Sequence, residues 1–316
     1  MRTRSRLMTG LATAAAAVLL ITGCSATPQE GGSDEPLTVY ATTGYLADAV
    51  ANIAPDAVVT TMVGPGGDPH TYQPSTRDIE KIQGVDVVLW NGLHLEAQMI
   101  ELLESRGDRQ LAVGDQLPEE LLLAWPETDD AGNPLHDPHV WNSPEAWSLV
   151  VGYVADKLGE IDPENAAEYL TNATAYQGKI SEAASEVETL LARVPEPRIL
   201  ITGHDAFNYF GDTYNLAVHA TDFVSTEAAL SAGELSELAR MIADNQVPVI
   251  FQDNQANPQA ITSLREAVRA LGWNVEISAE ELYADSLGAD PGVDTYLGVF
   301  RHNAQAVADA LGEEAQ

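Results

Sequence analysis

The stretch that decides the fold is DPENAAEYLTNATAYQGKISEAASEVETLLARVP, residues 162–195. It opens with Asp162-Pro163, a capping residue followed by proline in a first turn, and closes before Pro195. Between them run some thirty residues with a single internal glycine, Gly178, and no internal proline. At 1.5 Å per residue this helix reaches about 45 Å, long enough to run the length of two lobes and hold them together.

Working outward, each side of this helix reads alike. On its amino-terminal side, residues 37–42, 57–63, 86–90 and 110–113 are short apolar or β-branched runs separated by helix-patterned segments. On its carboxyl-terminal side, residues 198–202, 217–220, 248–252 and 273–278 repeat the arrangement. Short buried strands alternating with helices predict βα units and a mainly parallel sheet. The expected fold class is α/β: two similar lobes at 37–161 and 195–316, joined by a linking helix at 162–194.

The 316 residues are 45% hydrophobic and 20% charged, enough to bury a large core. The formal net charge is −33 and the pI near 4.2, which disfavours nucleic acid as a partner and suits cations. Arg2, Arg4 and Arg6 precede an apolar, Ala-rich run at 11–22 and then Gly23-Cys24-Ser25. A basic start, an apolar core of about a dozen residues and small residues before a cut site predict an export signal over 1–23, too short to span a bilayer permanently. Cys24 is the only cysteine, so no internal disulfide forms. Residues 24–36, rich in Gly, Ser, Pro and Glu, read as a flexible tether.

Three histidines share similar surroundings. His70 lies in Gly67-Asp68-Pro69-His70, His139 in Asp137-Pro138-His139-Val140-Trp141, and His204 in Gly203-His204-Asp205-Ala206-Phe207 at a predicted strand end. Ligands gather beyond the carboxyl ends of strands in open α/β sheets. Neutral imidazole with carboxylate suits zinc, and with oxygen donors also manganese. Read from the residues alone, a lone histidine at a strand end is more often structural; three of them in an acidic exported chain with no disulfide point toward a metal.

With Tyr283-Ala284-Asp285-Ser286-Leu287-Gly288, these motifs occur in an order that resembles the metal-binding solute-binding lipoproteins of bacterial ABC importers for zinc and manganese, the ZnuA/TroA-like family. The resemblance covers about residues 37–312 and implies two α/β lobes joined by one long helix, with a metal in the interlobe cleft. It implies four ligands, His70, His139, His204 and Asp285, and no catalysis. Ile21-Thr22-Gly23-Cys24 resembles a lipobox, which implies lipidation of Cys24 and an extracytoplasmic protein anchored to the cell membrane. The implied partners are a permease and its ATPase, the divalent ion, the membrane and a supplying metallochaperone; the chain itself is expected to be a monomer.

Related manganese binders often carry glutamate where this chain has His204, so the expected ion is Zn2+, with Mn2+ as the alternative. Surface adhesion is a further alternative. The His-rich loop of many zinc members is replaced by an acidic stretch, residues 114–135, with His136 as its one histidine candidate for transient capture. Asp253 stands where members commonly show glutamate, and Glu227 matches a segment near the cleft; both are accessory candidates. No His-Glu-x-x-His or Gly-x-Ser-x-Gly motif supports a hydrolase.

Overall fold

The computed structural model describes residues 35–128, 131–222 and 230–312. Cys24, the export signal, most of the tether and Glu227 lie outside the described residues.

In the amino half, strands β1 (Thr38–Ala41), β2 (Val58–Thr61), β3 (Val87–Trp90) and β4 (Gln110–Ala112) form one parallel sheet in the order β2-β1-β3-β4. Helices α1 (Gly44–Ile53), α2 (Thr76–Gly84) and α3 (Ile100–Glu104) connect them. Alternation along the strands sorts the side chains into two layers. Val39, Ala41, Val87 and Leu89 face the main core, whereas Tyr40, Val88 and Trp90 face a second cluster with Ile82 of α2 and Leu103 of α3. Ser75 begins α2 through a reciprocal capping box with Asp78, which explains that serine without a nucleophilic role.

The acidic stretch before the second histidine motif holds a feature its composition did not announce. β5 (Ala124–Thr128) pairs antiparallel with β6 (Pro134–His136) as a hairpin. Two helices follow, α4 (Pro144–Ile161) and α5 (Ala166–Leu191). The long helix therefore starts three residues later than Pro163. Asp162 closes α4 instead, with its N–H donating to Leu158 O, and its carboxylate accepts hydrogen bonds from Asn165 and Tyr169. At 26 residues, α5 is about 39 Å long. Its buried residues Tyr169, Ala173, Tyr176, Ile180, Ala183, Val187 and Leu191 recur every three or four positions and form one stripe. That stripe packs against α1 and α4 from one half and the last helix, α9 (Tyr296–Leu311), from the other. One core consequently contains residues of both halves, from Val39 to Leu200 and Phe300.

The carboxyl half contains β7 (Ile199–Thr202), α6 (Asn208–Tyr214), β8 (Ala217–Ala220), α7 (Ala232–Asp244), β9 (Val249–Ile250), α8 (Pro258–Ala270) and β10 (Glu276–Ile277). β7 pairs parallel with β8, and β9 with β10. The Phe251 N–H donates to Ile201 O at 2.8 Å and sets the two pairs side by side. Their spatial order, β8-β7-β9-β10, repeats that of the first sheet. All eight strands expected from the sequence are present, and the fold is the expected α/β arrangement of two similar lobes.

Candidate metal centre

The two histidines of the amino half are aimed by the same local device. In Asp68-Pro69-His70, the His70 N–H donates to Asp68 Oδ1 at 2.8 Å; in Asp137-Pro138-His139, the His139 N–H donates to Asp137 Oδ1 at 2.9 Å. Each is an aspartate turn two residues long, stiffened by the intervening proline. The second copy does more. Asp137 Oδ1 also accepts from His139 Nδ1 at 2.7 Å, so that nitrogen carries a proton and Nε2 is the atom left to face the other donors. Asn208 Nδ2 donates to Asp137 Oδ2 at 3.0 Å, and Asn91 Nδ2 to the Pro138 carbonyl at 2.9 Å.

His204 leaves the end of β7, and its mount comes from the neighbouring strand. Asp253, just beyond β9, accepts the Gly203 and His204 N–H groups on Oδ2 at 2.9 and 2.8 Å. A side chain at position 203 would meet Ala256 Cβ at 2.2 Å and Asp253 Oδ2 at 2.8 Å, so only glycine allows this approach. Asp285 lies in the loop after β10. Asn254 holds that loop by accepting the Ala284 N–H and donating to Ser286.

These four side chains converge. His70 is 4% exposed, and His139, His204 and Asp285 are wholly buried. His139 Nε2 lies 3.3 Å from His70 Nε2 and 3.2 Å from His204 Nε2. Asp285 oxygens lie 3.6 Å from His70 Nε2, 3.3 Å from His139 Nε2 and 3.2 Å from His204 Nε2. A tetrahedral shell with bonds of about 2.0–2.1 Å has edges of about 3.3–3.4 Å, and these separations, 3.2 to 3.6 Å, lie around that value. A fully buried carboxylate thus faces only imidazole nitrogens. Such a carboxylate calls for a cation.

Electrostatics agree. Burial opposes the Asp285 charge, yet His204 and His139 hold its pKa well below the usual carboxylate range. Burial also opposes charging His139, but Asp137 and Asp285 overcome it and raise that imidazole to about 10. Burial drives His70 the other way, down to about 3 against the pull of Asp285. The cluster is thus a buried set of three nitrogens and one carboxylate that converge on a common centre, where a cation would displace the protons they share.

The accessory candidates lie elsewhere. His136, at the end of β6, sits outside the cluster, with Nε2 3.5 Å from Glu119 Oε1. Asp253 is buried behind His204 and grips its backbone. Sequence reading did not pick out Asp68, Asn91, Asn208 or Asn254 as supports. The doubled Asp-Pro-His tripeptide was the available signal for Asp68, whereas the three asparagines act across 30 to 71 residues of chain.

Two like-ordered α/β lobes bridged by one long helix, with a dry cluster of metal-donor side chains between them, define a solute-binding protein whose solute is a metal ion. The chain belongs to the family described as zinc-uptake complex component A, periplasmic (ZnuA), whose profile matches residues 39–310. It is 35% identical to the zinc-binding protein TroA of Treponema pallidum over 288 residues, 90% of this chain and 91% of that one. It is also 32% identical to the manganese-binding lipoprotein MntA of Bacillus subtilis over 300 residues, 93% of this chain and 96% of that one. The solved periplasmic zinc-binding protein TroA superposes with a TM-score of 0.82 at 35% identity, covering 88% of this chain and all of that one. The protein is therefore a metal-binding solute-binding component of an ABC importer, working with a permease and an ATPase, and not an enzyme.

Proposed function

We propose that this protein captures Zn2+ outside the cell membrane through His70, His139, His204 and Asp285 and delivers it to its permease. The observation that carries the choice of ion is the donor set: three imidazole nitrogens and one carboxylate at tetrahedral separations, in a site with no exposed member. Softer nitrogen donors favour zinc over manganese. A second reading, Mn2+ as the cargo, is favoured by the relative named manganese-binding at 32% identity. The capture unit comprises lobes at 37–161 and 195–316 with the linking segment at 162–194 between them, its helical part being α5, and acts as a monomer. Residues 1–23 direct export, and a lipidated Cys24 with the tether to residue 36 holds it at the membrane, in keeping with relatives named as lipoproteins.

The test is metal analysis of protein produced from residue 25 onward, after equilibration with limiting zinc and manganese together. One zinc per chain, lost in His204→Ala and in Asp285→Ala, is the expected result. Manganese in its place would overturn the ion and leave the transport role. No bound metal would remove the site and leave surface adhesion as the reading to pursue.

A further inference from the structure

The Asp285 oxygens face only the imidazoles of the candidate ligands, so the direction of that carboxylate on the approach of a cation rests on the backbone that carries it. The carbonyl immediately before it, Ala284 O, accepts two hydrogen bonds at 2.9 Å, from Tyr45 Oη and from Trp141 Nε1. Both donors belong to the amino half: Tyr45 lies in the first turn of α1, and Trp141 two residues after His139. All three residues are 1% exposed or less. The two rings stack on one another, with centroids 4.9 Å apart and planes at 19°. Trp141 in turn stands edge-on to the His139 imidazole, at 5.2 Å and 80°.

We infer that Tyr45 and Trp141 are positioning residues for Asp285, a stacked pair that fixes the acid of the carboxyl half to the histidine of the amino half. This rests on the four-ligand reading above. The Trp141 ring packs in the core, and its indole N–H adds an aimed hydrogen bond. A carbonyl has two lone pairs, so both donors are accommodated at once. Two aromatic rings in contact hold their positions at small entropic cost, and the carbonyl they hold fixes where the next side chain points. Asn254, from the carboxyl half, takes the Ala284 N–H on the other side of the residue. The ligand loop is thereby clamped from both halves at a single residue, and aiming the carboxylate requires the halves to be together.

Tyr45→Phe tests this cleanly, since it keeps the ring and the stack and removes one donor while Trp141 still serves the carbonyl. The measurements are the Zn2+ dissociation constant by competition with a chromophoric chelator and the visible ligand-field bands of the Co2+-loaded protein. Asp285→Ala supplies the reference spectrum for a lost carboxylate. The expected result is a dissociation constant weakened about three- to tenfold, the worth of one hydrogen bond, and Co2+ bands displaced toward those of Asp285→Ala. Trp141→Phe in the same background should displace them further. Parental affinity and parental Co2+ bands in Tyr45→Phe would overturn the inference even if the metal-free protein melts lower, because a purely structural tyrosine changes only the melting. His139→Ala is run beside them: a variant that binds like the parent would instead break the four-ligand reading beneath.

Discussion

The two halves of this molecule share a sheet order and mount their candidate metal donors in opposite ways. In the amino half, each histidine is aimed from within its own loop, by an aspartate two residues earlier. In the carboxyl half, His204 is aimed by Asp253, 49 residues away, and the Asp285 loop by Asn254 from its own half and Tyr45 and Trp141 from the other. The sheets explain the difference. Each places a buried carboxylate in the crevice between its first and third strands, where strand order reverses and ligands gather. In the amino half that carboxylate is Glu96, which accepts Thr42 Oγ1 at 2.6 Å and the Asn91 and Gly92 N–H groups at 2.8 and 3.2 Å. It steadies a turn, residues 92–94, whose φ angles are all positive, and Asn91 carries that support on to Pro138. In the carboxyl half Asp253 grips the ligand itself. The same topology buttresses a neighbour of the metal site on one side and the site directly on the other.

The largest effect should therefore follow removal of Asp253. Asp253→Ala strands the Gly203 and His204 N–H groups in a dry crevice, at a cost of about 2–5 kcal/mol in folding stability for two unsatisfied donors. Zn2+ affinity should fall about a hundredfold or more as His204 loses its anchor, on the scale of lost supports around a metal. Chemical denaturation and competition titration measure the two. A variant with parental affinity would show that His204 is held from elsewhere and would break the contrast between the halves.

Next in size is Asp137→Asn. Its amide can still accept the His139 N–H, but the charge beside the imidazole is gone, and affinity should drop about 10- to 100-fold. The proton count gives a second signature. In the metal-free parent His139 is raised to about 10 by Asp137 and Asp285 against its burial, so at pH 8 it carries a proton that metal must expel. Parental affinity should accordingly climb as pH rises toward that value and weaken as pH falls. With the charge removed, one of the two anions that raise the imidazole is gone, its pKa drops, and fewer protons are released on loading at pH 8. Calorimetry in buffers of different ionisation enthalpy counts those protons; an unchanged count would mean Asp137 does not set the His139 charge.

How much of this was legible in the sequence follows from the same contrast. The eight strands could be read because buried parallel strands are continuous apolar runs, and the long helix because almost nothing within it breaks helix. Its first turn was misplaced since Asp162-Pro163 has the composition of a helix start, yet Asp162 serves as the last cap of α4. The β5–β6 hairpin stayed hidden behind acidic residues that composition reads as loop. At the site, His70 and His139 announce themselves because aspartate, proline and histidine are consecutive. Asp285 does not, since a loop acid with no local partner looks like any other until Asn254, Tyr45 and Trp141 are brought to it by the fold. Resemblance to a family supplied what spacing could not.

The smallest effect separates the two Asp-Pro-His copies from each other. Asp68 accepts the His70 N–H on Oδ1 and Thr71 Oγ1 at 2.8 Å on Oδ2. An asparagine satisfies both positions: its carbonyl takes the N–H, and its amide donates to a threonine hydroxyl that can turn to accept. Burial, moreover, already keeps the His70 imidazole neutral, with a pKa near 3, so this histidine needs no adjacent anion to present a lone pair. Asp68→Asn should consequently change Zn2+ affinity by no more than about threefold, whereas the same exchange at Asp137 costs far more. A tenfold loss in Asp68→Asn would mean that the first motif, like the second, works through charge, and the turn alone would no longer account for why the tripeptide occurs twice.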